Sequence, residues 1–190
     1  MMGYVKKGNL ISGSIVAFFT FFIALLVSLG SEALVRAVNS VIVAIILLGI
    51  IIFLGIFFDI IGTAATAAIL PPFNARAAKK VFGAWQAVKI IRNNDIVANF
   101  CNDVVGDIAG TLSGAIGAGI VVSLSSRLEF VDLILGGSVM TSLIAALTVG
   151  GKAVGKSVAV NHANRIIFRV AVVMAWWEGV SGMEVLKNRR

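Results

Sequence analysis

Apolar positions in this chain gather into long unbroken runs instead of alternating or falling into narrow stripes. Four runs approach or exceed the roughly 20 residues needed to cross a bilayer as helix. They lie at about 10–29, 40–68, 96–123 and 131–151. Between the second and third runs, Pro71 and Pro72 stop the helix, because proline supplies no backbone donor and disfavours helix in the residue before it. The stretch that follows places Val81, Trp85, Val88 and Ile91 or Arg92 at helical spacing, with Lys79, Lys80, Gln86 and Lys89 elsewhere on the wheel. This pattern predicts a basic amphipathic belt helix over 73–92, with Trp85 in lipid or under helix ends and its lysines in water. A shorter apolar stretch at 165–180, flanked by Arg165 and Arg169 and carrying Trp176 and Trp177, suits a helix lying in the interface.

The expected fold is therefore an all-α integral membrane protein of four transmembrane helices with cytoplasmic juxtamembrane amphipathic helices. Its parts are an N-terminal helix and loop (1–39), a central transmembrane unit with its belt (40–173) and a basic C-terminal tail (174–190). The first run is too long, and lacks a small-residue cleavage site, to read as a removable signal peptide.

Composition agrees: 59% of the 190 residues are hydrophobic and 13% charged, against roughly 25% charged in soluble domains. A net charge of +7 raises the question of nucleic acid, but the distribution of that charge answers it. Fourteen of the sixteen basic residues fall before the first run, between the second and third, or after the fourth, leaving Arg36 and Arg127 for the other side. The positive-inside rule then puts both termini in the cytoplasm, the chain in the cell membrane, and anionic lipid rather than nucleic acid against the lysines. The single cysteine, Cys101, reads as a packing residue.

Polar groups inside the runs are the candidate chemistry. The third run carries Asn99, Asn102, Asp103 and Asp107, and 99, 103 and 107 stack along a helix at four-residue spacing. On the same or an adjacent face, Gly106, Gly110, Gly114 and Gly117 recur every three or four residues, the small-residue signature of close helix packing. Asp59, with Thr63 one turn on, stands in the second run. Three unpaired aspartates in a membrane would cost on the order of 8–10 kcal/mol together, so something must compensate. A hard divalent cation on Asp59, Asn102, Asp103 and Asp107 with the Thr63 hydroxyl would do so; so would Lys152, or protonation of the carboxyls. The residues also fit plain polar packing between helices with no ion.

Residues 150–157, GGKAVGKS, spell the phosphate-loop pattern. A membrane-length run precedes them and fewer than 40 residues follow, which leaves no room for an α/β core, and no nucleotide is expected. His162, between Asn161 and Asn164, reads as a cap or loop residue. No nucleophile–base pair at catalytic spacing is visible, so an enzyme is not expected.

The order DIIGTAATAA (59–68), a basic belt (74–95), CNDVVGDIAG (101–110) and GGKAVGKSVAVNHANRI (150–166) resembles the transmembrane domain of the CNNM/CorB/CorC magnesium-transporter family over roughly 130 residues. The resemblance implies Mg²⁺ binding or transport, with regulation from a separate cytoplasmic subunit, since no tandem nucleotide-binding CBS domains follow in this sequence; the glycine-rich faces add the expectation of a homodimer. Three departures stand out. The family's Ser-Glu-Thr-Ala is Ala64-Ala65-Thr66-Ala67, its Asn-Asn is Asn102-Asp103, and its ion-holding Gly-Glu is Gly151-Lys152. Lys152 thus sits where the family keeps a carboxylate, which makes a non-transporting structural or partner-binding subunit the alternative to cation transport.

Overall fold

The computed structural model describes residues 13–14, 17–18, 20–26, 28–29, 40–128 and 132–186. Helix is the only regular structure among the described residues. Three helices are long and apolar enough to cross a membrane: α1 (Val41–Ala67), α4 (Asn94–Ser125) and α5 (Leu133–Asn161). Between α1 and α4 lie two short helices, α2 (Pro71–Ala78) and α3 (Ala84–Arg92), and α6 (Ala163–Ser181) follows α5. The first expected span falls largely outside the described residues; those described between 13 and 29 are helical.

Apolar runs rich in β-branched residues form helices whose length and composition would let them cross a bilayer, where only helix satisfies every amide within one segment. Each helix end has an identifiable cause. Ala68 leaves α1 extended, the Ile69 amide donates to Asn164 Oδ1 on α6 at 3.0 Å, and the two prolines then occupy the first positions of α2, where no donor is needed. Asp132 caps α5 by accepting from the amides of Ile134 and Leu135 at 2.9 and 2.8 Å. His162 closes α5 and opens α6, its amide donating to Val158 O and its carbonyl accepting from Arg165 and Ile166.

The belt expected as one helix over 73–92 is two helices. Lys80 (φ 54°) and Gly83 (φ 80°) are both left-handed, a conformation that ends α2 and turns the chain into α3. A Cβ at Gly83 would sit 2.9 Å from the Val172 backbone, so this turn lies flat on α6 and only glycine fits. The lysines also differ from expectation. Lys79 and Lys80 are exposed, but Lys89 is 3% exposed, because the face of α3 that packs inward holds Ala84, Ala87, Val88 and Ile90 on either side of it. Of the expected stripe only Val88 is buried; Val81 and Trp85 face outward. Helix α6 runs unbroken past residue 173 to Ser181, burying Ala163, Ile167, Ala171 and Ala175 and leaving Trp176 and Trp177 exposed.

Packing forms two apolar cores. One, at the α1 N-terminal half, joins Ala44, Leu48 and Ile52 to Ile116, Ile120 and Ile144. The other joins the C-terminal end of α1 (Ala64, Ala65) to Phe73 and Val88 of the short helices, Ala159 at the α5 end and Ile167 of α6. Connectivity puts the α1 C-terminus, the α4 N-terminus and the α5 C-terminus at the same end of the molecule, with α2, α3 and α6 gathered there.

Candidate functional site

The layer between these two cores is polar. Asp59 lies between Ile52 and Ala64 on α1, Asn102 precedes Ile116 on α4, and Lys152 lies between Ile144 and Ala159 on α5. Each stands eight or nine residues from the belt end of its helix, about 12–14 Å at the helical rise. Equal depth on three neighbouring helices brings residues far apart in sequence to one level.

Asp59 is 4% exposed. Lys152 Nζ lies 3.8 Å from its Oδ1, with the lysine side chain 25% exposed. That separation is beyond hydrogen-bonding reach, yet a unit charge pair so placed attracts by about 4 kcal/mol at an effective dielectric near 20. Asp59 Oδ2, Asn102 Oδ1 and Thr148 Oγ1 are buried and have no hydrogen-bond partner among the described residues. An acidic and a basic side chain thus meet in the layer, with Asp59 Oδ2 itself uncommitted.

Asn102 reaches α1 through local backbone geometry. Residues Asn99–Val105 wind as a π-helical segment inside α4. Such single-turn bulges insert one extra residue and re-aim side chains, and they gather at functional sites. Asn102 sits directly against Gly62, where a Cβ would overlap its Oδ1. Gly151 plays the same part on α5: a Cβ there would overlap Ile56 of α1, so the bare backbone lets α5 close in and brings Lys152 to Asp59.

Of the six site residues expected from sequence, the structure brings Lys152 to Asp59 and sets Asn102 against Gly62, three residues along α1 from Asp59. Thr63 is half-buried one turn from Asp59, and its carbonyl accepts from Thr66 Oγ1 at 2.8 Å. Asp103 and Asp107 do not join them: both are exposed, as is Asn99. Neighbours on a helix point about 100° apart, so with Asn102 turned to Gly62, Asp103 faces outward. The expected glycine face divides for the same reason. Gly117 packs against Ile144 and Met140 and Gly106 lies near Lys152 Nζ, while Gly110 and Gly114 have nothing within 4 Å. The phosphate-loop-like stretch 150–157 lies wholly inside α5, its backbone committed to the helix.

Sequence reasoning missed a second polar cluster in the belt. Lys89 Nζ lies 3.4 Å from Glu184 and 4.0 Å from Glu178. Glu178 also accepts from Gln86 Nε2 and from the Val185 amide, each at 3.0 Å. This cluster ties α3 to the segment after α6. Nearby, the Arg76 guanidinium stacks 4.7 Å from the Phe168 ring centre, a cation–π contact between α2 and α6. The alternation of Gln86 and Lys89 with buried alanines was the available signal, since a lysine on the packing face of a helix demands a carboxylate.

Comparison of the chain with protein-family models, with curated proteins and with solved structures gives no match.

Proposed function

We propose that this chain is a multi-pass membrane subunit whose polar centre is neutralised from within, the Lys152 ammonium taking the place that a cation would otherwise hold. The observation that carries this reading is the 3.8 Å approach of Lys152 Nζ to the buried Asp59 carboxylate. A fixed positive charge there repels a divalent ion and removes the electrostatic reason for its binding. In this reading the resemblance to the CNNM/CorB/CorC transmembrane domain reflects a shared scaffold put to structural or partner-binding use. Both termini face the cytoplasm, as the basic residues of the belt end favour. A second copy of the chain covers the outward face of α4, where Asp103 and Asp107 flank the open backbone of Gly110 and Gly114; an aspartate left against lipid at mid-helix would cost about 2.5–3.5 kcal/mol.

Mg²⁺ binding or transport is the second reading. Two observations favour it: Asp59 Oδ2 and Asn102 Oδ1 are uncommitted buried oxygens, and Lys152 is not within hydrogen-bonding distance of Asp59. Isothermal titration of Mg²⁺ into the purified protein and into Lys152→Glu separates the two. The internal-pair reading expects no saturable binding by the unaltered protein and binding gained by the variant. Saturable binding by the unaltered protein, lost in Asp59→Asn, would establish the cation reading instead.

A further inference from the structure

The turn between α2 and α3 builds a groove. Lys80, Val81, Phe82, Trp85 and Gln86, with Ala175 of α6, are among the residues that line a cavity of about 350 Å³ at the belt end of the molecule. Its rim is strongly apolar: Phe82 is 61% exposed, Trp85 47% and Val81 40%. Large aromatic groups beside lysines suit the boundary between headgroups and acyl chains, where an apolar body and a charged neighbour are both satisfied.

The charge in the groove is positive and free. Lys80 has no ion-pair partner among the described residues, and Lys79 beside it is likewise exposed. Glu178, which Gln86 holds at 3.0 Å, is already engaged by Lys89 and the Val185 amide. The backbone at Lys80 adds an independent observation. The Val81 amide donates to Arg76 O and the Lys80 amide to Ala77 O, the two-bond helix stop whose left-handed residue is ordinarily glycine. Here a lysine holds that position at φ 54°. A strained non-glycine residue at the mouth of a cavity is an observation that calls for a use.

We propose that this groove seats an anionic phospholipid, its phosphate on Lys80 and its chains over Phe82 and Trp85. The proposal rests on the membrane reading of α1, α4 and α5, but not on whether the Asp59 layer holds an ion. Two features recommend the lipid over a peptide: Lys80 has no ion-pair partner among the described residues, and the amide of Gln86, the other polar side chain of the lining, already donates to Glu178. A bound phosphodiester would complete both halves of the site at once.

The experiment uses the full chain in nanodiscs with Trp176→Phe and Trp177→Phe, which leaves Trp85 as the only tryptophan. Bilayers contain equal amounts of phosphatidylcholine and phosphatidylglycerol, with bromine on the chains of one or the other. Trp85 quenching should favour brominated phosphatidylglycerol about fivefold, the ratio one lysine near an anionic surface supplies. Lys80→Gly should abolish that preference while leaving the melting temperature unchanged or higher, because glycine suits the left-handed turn. Lys156→Ala, on α5 outside the groove, should leave the preference intact. Equal quenching by both lipids, no quenching by either, a preference that survives Lys80→Gly, or an equal loss in Lys156→Ala would each overturn the proposal.

Discussion

Lys152 on α5 and Asp59 on α1 face each other at 3.8 Å across a layer that has an apolar core on either side. The pair joins two helices, and Gly151, one residue earlier, is what permits the approach. Charge and close packing are thus coupled at one point in the chain.

Removing the cation should therefore expose the cost of the anion. Lys152→Met leaves the Asp59 carboxylate buried and uncompensated, and a loss of about 3 kcal/mol is expected, at the low end for buried pairs because Lys152 is partly exposed. The double variant Lys152→Met/Asp59→Leu should recover most of that loss. Denaturant unfolding of all three chains in detergent checks both statements, and an additive double variant would mean the pair does not interact.

Gly62 should tolerate no side chain while Asn102 is present. Gly62→Ala places a methyl on Asn102 Oδ1 and should cost about 1–3 kcal/mol through overpacking. Shortening the partner in Gly62→Ala/Asn102→Ala should return part of it. Melting temperatures of the two variants read the difference directly.

Glu178 should control the segment after α6. Glu178→Ala removes the acceptor for Gln86 Nε2 and the Val185 amide and weakens the hold on Lys89, which is 3% exposed. A loss of about 2–3 kcal/mol is expected for the buried lysine left with one partner. Limited proteolysis should cut after Ser181 faster in the variant, and an unaltered cleavage rate would show that Glu178 does not anchor the segment.

The proposed homodimer has its own test. Gly114→Cys, in a chain whose native Cys101 is buried and replaced by alanine, puts one thiol on the open face of α4. Mild oxidation in native membranes should give a covalent dimer, whereas Gly117→Cys, which faces Ile144 inside the protomer, should give none. Equal dimer yields from both positions would remove this face as the interface.

The sequence by itself determined the three membrane-length helices and most of their ends, although α5 runs to Asn161, ten residues past the end of its apolar run. Membrane-length apolar runs leave the backbone no alternative to helix, and Pro71, Pro72 and Asp132 mark boundaries through local chemistry alone. It also singled out Asp59, Thr63, Asn102, Asp103 and Asp107, because a polar group in an apolar run is conspicuous whatever surrounds it, and Lys152 as a cation just past the fourth run. Which polar groups meet was decided by tertiary structure. Asp103 reads in sequence like Asn102, yet a π-helical segment turns one to Gly62 and the other outward, and a bulge of that kind is set by packing against α1 rather than by its own seven residues. The belt divides at Lys80 and Gly83 for the same kind of reason: its periodicity suits one helix, but the turn lies flat against Val172 of α6. Lys89, a surface residue by type, is buried where Glu178 and Glu184, far along the sequence, fold back to meet it. Local pattern fixes what a segment becomes; depth and facing come from the other segments it must fit.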